Sequence, residues 1–432
     1  MKKNLLIKIA ALSLLLVVPQ AQARKPAPPP PAPVTDTTLA LASSSASGQA
    51  ANYGGDNCGV SADGSKVLFT SYASNLVTGS ADFMNDIFLK DFNGNGITRV
   101  VTAASNTFAC LAMTPDANTV VFLADAPNGV VTVLGFEGSE PAIMVKNLST
   151  GQQTRVTPMR STLENVDSFQ FAGVSDDGLR VAFIAQPTFT CSGYNCIANG
   201  PARMLLHDLS RGALVNLESQ VRFTTSQRAA DGDAWLSPNG LTLAFSSRAA
   251  YPEAGDADTA SRDVYALDIA SNNVRLVNTD AAGRQITGNY NVQTFFSNSG
   301  KLAFSGATSA GLAGVFVKDL SSGAFDLVFD RNLVPMLGYA ALSFSDDGRR
   351  VAYSESSGGS TLTEIRIPRV LDIATGARVN AATLSNGTVG NGRTTTDVLL
   401  SRDGKAAAFG NNSTNLLAGL LTVQQVYRKL LP

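Results

Sequence analysis

A hairpin turn and a strand are encoded together in Ser175-Asp176-Asp177-Gly178-Leu179-Arg180-Val181-Ala182-Phe183. An Asp-Gly pair beside alternating apolar residues is a strong signal for a β-hairpin with a two-residue turn. The same pattern occurs seven times, with copies that begin at Ser61, Thr114, Ser175, Ser237, Ser297, Ser345 and Ser401. In six copies an aromatic residue follows the first position by eight residues, and in the copy at Ser297 it follows by seven. A recurring turn and strand of this kind predicts a repeat architecture.

Each repeat carries more than its first hairpin. A further predicted strand ends in Asp or Asn and is followed by a turn cluster, as in 86–91, 142–147, 203–208, 263–268, 314–319 and 368–372. A fourth strand follows that turn, for example Thr98-Arg-Val-Val101. Four hairpin-connected strands in a unit of 48 to 62 residues are typical of a β-propeller blade. We therefore predict an all-β propeller of seven blades, with six or eight as alternatives if a weak copy is misassigned.

The seventh repeat lacks a fourth strand. Its third strand is predicted at Gln425-Val-Tyr-Arg-Lys-Leu430, two residues before Pro432. A strand-like segment, 37–43, precedes the first repeat and has no partner of its own. We predict that it supplies the missing strand, since a closed last blade leaves no open sheet edge.

The first residues are typical of an export signal. A positive region, formed by Lys2, Lys3 and Lys8, comes before an apolar run. The run is followed by a sequence that matches a cleavage site, Ala21-Gln22-Ala23. We therefore predict a signal peptide over 1–23, a Pro-rich linker over 24–36 and one propeller domain over 37–432. Without the three lysines of the signal, 30 basic residues face 34 acidic ones, a net charge of −4. This balance, with no basic stripe and no long apolar segment, argues against nucleic-acid binding and membrane insertion.

Export to an oxidising compartment, periplasmic or extracellular, favours disulfides for the four cysteines. Cys191 and Cys196 lie close together in a polar loop, where they could close a short ring. Cys58 and Cys110 precede successive repeats by three and four residues, so they would lie on equivalent strands of neighbouring blades and could also pair. The alternative for Cys58 and Cys110 is two buried thiols. Zinc is a weaker interpretation, because the chain has one histidine.

The pattern Ser-x-Asp-Gly-x-x-Val-Ala-Phe, then Asp-Val-Tyr, then Asp-Leu-x-x-Gly, resembles the WD40-like repeats of TolB-type β-propellers over about residues 55–430. The resemblance implies that the Asp-Gly positions form turns, that the aromatic residues fill blade cores, and that the protein is a periplasmic interaction platform. Two features depart from the family's namesake. Residues 24–36 leave no room for its α/β domain, and seven copies exceed its six blades.

Few residues of the chain suggest chemistry. His207 is the single histidine, which argues against most Ser-His-Asp and histidine-metal sites, and its repeat position matches Lys90, Lys146 and Lys318, a blade-surface position. Two acidic loops, Asp256-Ala-Asp258-Thr-Ala-Ser-Arg-Asp263 and Asp82-Phe-Met-Asn85-Asp86, offer oxygen ligands for calcium. The alternative is that these acids solvate the loop or cap the next strand. We predict no cofactor, and calcium at Asp256, Asp258 and Asp263 is the one candidate that these loops leave open.

Three aromatic residues, Trp235, Tyr290 and Tyr339, precede repeat signatures and would lie at the start of first strands. First strands line the channel of a propeller, so these residues form candidate ligand contacts at its mouth; the alternative is packing within the blade. We expect a monomeric, non-enzymatic propeller that binds an envelope protein or peptide. The other interpretation is a carbohydrate-active or hydrolytic propeller whose carboxylates converge about 5–10 Å apart at the channel mouth.

Overall fold

Seven four-stranded antiparallel sheets form a ring, so the predicted all-β, seven-bladed propeller is confirmed. The computed structural model describes residues 38–79, 85–94, 96–101, 107–125, 141–159, 162–192, 195–222, 233–257, 261–291, 296–330, 343–356, 366–394, 397–417 and 423–432. The predicted signal peptide and linker lie outside these ranges. Within them, no helix is long and apolar enough to cross a membrane.

The strands of the first three blades follow each other along the chain after β1 (Leu39–Leu41). They are β2 (Gly55–Val60), β3 (Lys66–Ser71), β4 (Asp86–Asp91) and β5 (Gly96–Val101); β6 (Thr107–Met113), β7 (Thr119–Asp125), β8 (Pro141–Asn147) and β9 (Gln153–Arg155); β10 (Val166–Val174), β11 (Arg180–Pro187), β14 (Arg203–Asp208) and β15 (Ala213–Asn216). A separate hairpin of β12 (Phe189–Ser192) and β13 (Asn195–Ala198) interrupts the third blade.

The remaining blades repeat this order. They are β16 (Ala234–Leu236), β17 (Thr242–Ser247), β18 (Asp263–Asp268) and β19 (Asn273–Leu276); β20 (Gly288–Asn291), β21 (Lys301–Thr308), β22 (Ala313–Asp319) and β23 (Phe325–Asp330); β24 (Ser343–Phe344), β25 (Arg350–Ser356), β26 (Arg366–Asp372) and β27 (Arg378–Asn380); β28 (Leu399–Leu400), β29 (Ala406–Asn411) and β30 (Gln425–Leu430), with β1 as the last strand. A 3-10 helix, Pro252–Ala254, precedes β18.

The N-terminal strand closes the ring, as predicted. Strand β1 pairs antiparallel with β30, so that Leu39 lies opposite Lys429 and Leu41 opposite Tyr427. Leu39 is buried in the core of the seventh blade with Phe409 and Tyr427. The first and last parts of the chain therefore share one sheet.

The aromatic residue of each repeat fills a blade core, because it lies on a strand with neighbours on both faces. All seven are fully buried: Phe69, Phe122, Phe183, Phe245, Phe304, Tyr353 and Phe409. The third strands also agree with the sequence prediction, and those of the first, third and fourth blades have the predicted bounds.

The repeat turn is longer than the two-residue turn that the sequence predicted. Ser61 N donates to Lys66 O at 2.9 Å and Gly64 N donates to Ser61 O at 3.0 Å, so four residues lie between the paired Ser61 and Lys66. A two-residue type I′ turn needs positive φ at both central residues. Here Gly64 alone has positive φ, at 68°, whereas Asp63 does not. The prediction of a two-residue turn was therefore wrong.

Ser61 and Asp63 hold this turn through their side chains. Asp63 Oδ1 accepts hydrogen bonds from Ser61 Oγ at 2.7 Å and from Ser65 N at 2.9 Å, while Ser61 Oγ accepts from Lys66 N at 2.8 Å. The turn at Ser175 and Asp177 has the same bonds. The recurring Ser and Asp are therefore explained by the hydrogen bonds that stabilise the turn.

The two irregular copies have local explanations. In the copy at Thr114, Ala117 takes the glycine position with a φ of 58°. In the copy at Ser297, the loop closes one residue earlier, because Ser297 N donates to Lys301 O at 2.9 Å. This shorter loop accounts for the aromatic residue that arrives one position early.

Backbone hydrogen bonds connect the repeat turns of neighbouring blades at one end of the channel, except between the second and third and between the fourth and fifth blades. Ala62 N donates to Pro115 O, Asp176 N to Pro238 O, Asp346 N to Arg402 O, Ser299 N to Asp346 O and Asp403 N to Ala62 O, at 2.7–3.0 Å. Proline has no N–H, so Pro115 and Pro238 cannot donate to the next turn. We call this end of the propeller the turn face, and the opposite end, where second and third strands are connected, the loop face.

We expect Gly64→Ala to destabilise the protein by about 2–4 kcal/mol, from backbone strain plus overpacking. A Cβ on Gly64 would lie 2.3 Å from the Cβ of the buried Ala406 in the seventh blade. Gly151→Ala is the matched control, because Gly151 has a similar φ of 73° and no atom within 4 Å of the added Cβ. Urea unfolding should show a loss of only about 1 kcal/mol for the control; equal losses would contradict the packing between turns.

We expect stability to fall as the pH drops from about 4 to about 2. The Ser65 N–H and the Ser61 hydroxyl lower the pKa of Asp63 to about 2, and the Ser321 hydroxyl and Ser322 N–H lower that of Asp319 to about 2. A carboxyl whose pKa is lower when folded stabilises the protein above its unfolded value of 3.8 and loses that contribution as it is protonated. Thermal melts at stepped pH measure the fall, which Asp63→Asn should reduce; a melting temperature independent of pH from 5 to 2 would contradict this expectation.

Candidate functional site

A cavity of about 340 Å³ occupies the channel at the centre of the ring. All seven blades contribute to its wall, mostly through the last residues before each repeat signature. The wall contains Asn57, Cys58, Gly59, Val60, Cys110, Leu111, Ala112, Met113, Phe171, Trp235, Phe296, Ser343, Phe344, Asp397, Leu399, Leu400 and Arg402. A smaller space of about 80 Å³ adjoins it, shares Phe171, Trp235 and Arg402, and reaches Asp176.

Irregular pairing in the first strands of blades one to three shapes this wall. The register of β2 against β3 shifts at Cys58, that of β6 against β7 at Leu111, and that of β10 against β11 at Ala172. These residues stand three positions before Ser61, Thr114 and Ser175, so the irregularity repeats with the blades. A bulge bends the strand and changes the direction of its side chains, which brings neighbouring residues of one strand into the cavity wall.

Aromatic rings form one side of the cavity. Phe171 and Trp235, from the third and fourth blades, pack edge to face with ring centroids 6.1 Å apart. Phe296 and Phe344 border the cavity from the fifth and sixth blades but are buried in the blade cores, each only 3% exposed. Trp235, the single tryptophan of the chain, is only partly buried. The structure therefore places this predicted mouth residue in the channel wall.

The other two predicted mouth residues do not join it. Tyr290 is fully buried in the fifth blade, where it packs edge to face on Phe304 and Phe316 at 5.6 and 5.7 Å. Its hydroxyl donates to Ile286 O at 3.2 Å. Tyr290 is thus a core residue, and its assignment to the mouth was wrong. Tyr339 lies outside the described residues.

The Cys58–Cys110 disulfide is confirmed and forms part of the cavity wall. It joins β2 to β6, the first strands of neighbouring blades, with the two Cα atoms 5.8 Å apart. Cys191 is also disulfide-bonded and pairs through its backbone with Cys196 in the β12–β13 hairpin. The side chain of Cys196 is outside the description, so the Cys191–Cys196 pairing stays a prediction.

Three charged residues come together where the cavity approaches the turn face. Arg402 Nη2 lies 2.6 Å from Asp176 Oδ1, and Arg402 Nη1 lies 3.4 Å from Asp346 Oδ1. Asn298 Nδ2 donates to Asp176 Oδ2 at 3.4 Å. Burial raises the pKa of Asp176, and the Arg402 guanidinium opposes that shift. These side chains add a charged group to a cavity wall that already combines polar and apolar residues.

His207 does not belong to the cavity. Its Nδ1–H donates to Val156 O of the second blade at 2.6 Å. Lys90, Lys146, Lys318 and Lys429 occupy equivalent positions and likewise donate to carbonyl groups of the preceding blade. Lys90 and Lys318 are only 1% and 5% exposed, so the predicted blade-surface position is instead a buried link between blades. The sequence shows the recurring cation but not its carbonyl partner.

We expect His207→Leu to cost about 1–3 kcal/mol of stability, because the Val156 carbonyl loses its hydrogen bond. His207→Lys should keep most of that stability, since lysine makes the same bond in other blades. Urea unfolding of the two variants measures the difference. Equal stability of the leucine variant and the parent would contradict the proposed link between blades.

The predicted calcium ligands are only partly brought together. The Gln285 side-chain amide donates to both Asp256 Oδ1 and Asp263 Oδ1, each at 3.2 Å, and Tyr265 OH donates to Asp256 Oδ2 at 2.9 Å. Asp258 lies outside the described residues. Among those that the structure places, no group of three or more His, Cys, Asp or Glu side chains could hold a metal ion. Calcium at Asp256, Asp258 and Asp263 therefore stays a prediction.

The second acidic loop gives a similar picture. Asp86 is buried, and its Oδ2 lies 3.0 Å from Arg99 Nη1 of the same blade. Asp86 is therefore held in an ion pair within its own blade. Asp82 falls in a part of the chain that the structure does not describe.

Sequence reasoning missed Phe171, Phe296, Phe344, Asp397 and Arg402. The first three stand within four residues before a repeat serine, as Trp235 does, whereas Tyr290 stands seven before one. A position within four residues before a repeat serine is thus the signal for residues that border the channel, whether or not they are also part of a blade core. Arg402 occupies the second position of its repeat turn. The side chains that hold the turn are those of the first and third positions, so the residue type at the second position can differ between copies.

Searches with family models and against curated proteins find no match. Among solved structures, an oligogalacturonate lyase from Vibrio parahaemolyticus is similar at 12% identity, with 88% of this chain and 90% of that chain covered and a TM-score of 0.55. An acylaminoacyl peptidase from Pyrococcus horikoshii shares 8% identity over 88% of this chain and 52% of that chain, with a TM-score of 0.52. TolB from Acinetobacter baumannii shares 15% identity over 72% and 75%, with a TM-score of 0.40.

The similarities to the lyase and the peptidase support a β-propeller and nothing finer. The neighbours differ in activity, and identities this low show the fold alone. The resemblance of the repeats to the TolB-type family therefore stays a prediction, and function has to be argued from the channel cavity itself.

Proposed function

We propose that the protein is an exported, non-enzymatic β-propeller of the cell envelope that binds a protein or peptide segment in its channel cavity. The observation that carries this proposal is the cavity wall, to which every blade contributes and in which the partly exposed Phe171 and Trp235 present aromatic surface. Concave sites with apolar, aromatic walls and a few polar groups are the usual form of binding sites. The Cys58–Cys110 disulfide supports export, since such bonds persist in oxidising compartments.

Capture from an envelope extract of the source cells tests this function. Immobilised protein should retain the same partner in replicate experiments, and Trp235→Ala should reduce its recovery at least tenfold. Leu214→Ala is the matched control, because Leu214 is an exposed apolar residue on β15, far along the blade from the first strand. A partner retained equally by both variants, or no partner at all, would overturn the proposal.

A second function is favoured by one observation, namely that Asp176 and Asp397 line two adjoining cavities, both of which are also lined by Phe171 and Trp235. Two carboxylates beside aromatic surface are typical of carbohydrate-active sites. Incubation with oligogalacturonides, other oligosaccharides and peptides, followed by product analysis, tests this alternative. Turnover that is abolished by Asp397→Asn in a folded protein would replace the binding proposal with an enzymatic one.

A further inference from the structure

The Cys58–Cys110 disulfide borders the channel cavity. Both cysteines are partly exposed, whereas Asn57 and Gly59, on either side of Cys58, are buried. Both cysteines line the cavity of about 340 Å³ that Trp235 also lines. A small molecule inside this cavity therefore lies beside the disulfide.

The backbone is irregular at both ends of the disulfide. On β2, the register against β3 shifts between Asn57 and Gly59, so Cys58 has no residue opposite it. On β6, the register against β7 shifts between Cys110 and Ala112. The disulfide thus joins two bulged strands. Bulges are over-represented next to active sites, where they change the direction of a side chain.

Other contacts hold the first two blades together beside the disulfide. A Cβ on Gly59 would lie 2.6 Å from the Cβ of Met113, so β2 and β6 touch there. Leu68 and Met113 belong to one core cluster, and Ala62 N donates to Pro115 O at 2.7 Å. We therefore expect reduction of the disulfide to leave a folded, less stable propeller with an altered cavity wall.

Access to the sulfur atoms decides whether a disulfide is inert. Reduction begins when a thiolate attacks one of the two sulfur atoms, so a disulfide that thiolates cannot reach persists. Exposed disulfides are reduced more easily and are the ones that act in regulation or catalysis. Cys191 is exposed as well, but it belongs to the separate β12–β13 hairpin and does not line the cavity.

We infer that the Cys58–Cys110 disulfide is a site of thiol–disulfide exchange with a small dithiol in the channel cavity. One thiolate of the dithiol attacks a cysteine Sγ atom; a mixed disulfide forms, the original S–S bond breaks and the other cysteine leaves as a thiolate. The second thiolate of the dithiol then displaces the first cysteine. Two electrons pass to the protein, the two cysteines take up the two protons that the dithiol lost, and the dithiol leaves as a cyclic disulfide.

This reaction goes beyond the proposed binding function and does not depend on which segment binds. The reductant is small because a space of about 340 Å³ holds a small molecule and not a folded thiol protein.

Reduction of the folded protein by dithiothreitol tests the exchange. The chain has four cysteines, so in the double variant Cys191→Ser with Cys196→Ser every released thiol comes from the channel. Thiols should appear while circular dichroism shows a folded protein, and the rate should not change with urea below the unfolding transition. If this variant does not fold, alkylation of the parent protein and mass spectrometry of the peptides with Cys58 and Cys110 give the same rate.

Two outcomes of this experiment would overturn the inference. One is that the folded protein releases no thiol. The other is that the rate rises with urea in parallel with unfolding, because the disulfide is then reached only in the unfolded chain.

Two comparisons test whether the reaction takes place in the cavity. Trp235 fluorescence should change at the rate of thiol release, and the variant with all four cysteines replaced by serine is the matched control that should not respond. Thioredoxin, a folded dithiol protein, should react at least tenfold more slowly than dithiothreitol at equal thiol concentration. Faster reduction by thioredoxin, or reduction without a change in fluorescence, would overturn exchange in the cavity. None of these measurements uses a partner, so failure of the exchange and failure of the binding function can be told apart.

Discussion

Deletion of residues 37–43 is expected to unfold the protein under conditions in which the parent chain is folded. The deletion removes β1, which leaves the edge of β30 unpaired and removes the buried Leu39 and Ala42 from the seventh blade. It also removes Ser43, whose hydroxyl donates to Gln425 Oε1 at 2.6 Å. Burial of Leu39 alone is worth about 1.5–3 kcal/mol, which is a large part of the 5–15 kcal/mol that typically separates folded from unfolded proteins.

Thermal unfolding followed by circular dichroism measures this effect. Deletion of residues 24–34, which lie before the closing strand, is the matched control and should leave the melting temperature unchanged. A protein without residues 37–43 that melts at the parent temperature would contradict closure of the ring by β1.

Replacement of both Cys58 and Cys110 by serine is expected to cost about 4 kcal/mol. The disulfide closes a loop of 52 residues between the first and second blades, and loop-closure entropy in the unfolded chain gives this magnitude. Because both residues lie in the cavity wall, the variant should also alter Trp235 fluorescence in the folded state.

Guanidinium unfolding measures the free energy of unfolding of this double variant. The control is a second double variant, in which Cys191 and Cys196 are both replaced by serine. The second pair lies in the separate β12–β13 hairpin, where a short ring predicts a smaller loss of about 2 kcal/mol. Equal losses from the two double variants would contradict a special role for the link between blades.

Much of the fold could be predicted from the sequence, because every blade needs the same turn. The side chains of Ser61 and Asp63 close the turn, Gly64 supplies its positive φ, and Phe69 fills the blade core. Such local requirements leave a recurring pattern at fixed spacing. The closing strand was also predictable, since a propeller with three strands in its last blade has an open edge.

The candidate site was less predictable, because it depends on contacts between distant repeats. Arg402 and Asp176 are 226 positions apart, and nothing in their local sequences indicates that they meet. Trp235 and Tyr290 both precede repeat signatures, yet one lines the channel and the other packs against Phe304 in a blade core. Irregular register at Cys58 also changes which side chains reach the channel, and strand patterns that alternate regularly do not reveal it.

The central claim is that this propeller works through its channel cavity, and photo-crosslinking tests it most directly. Phe171 can be replaced by p-benzoylphenylalanine, which keeps an aromatic ring beside Trp235; the control carries the same residue at the exposed Leu214. Irradiation in the native cell envelope should give a discrete crosslinked partner from position 171 and none from position 214. A partner crosslinked from position 214 alone, or none from the cavity, would contradict the claim.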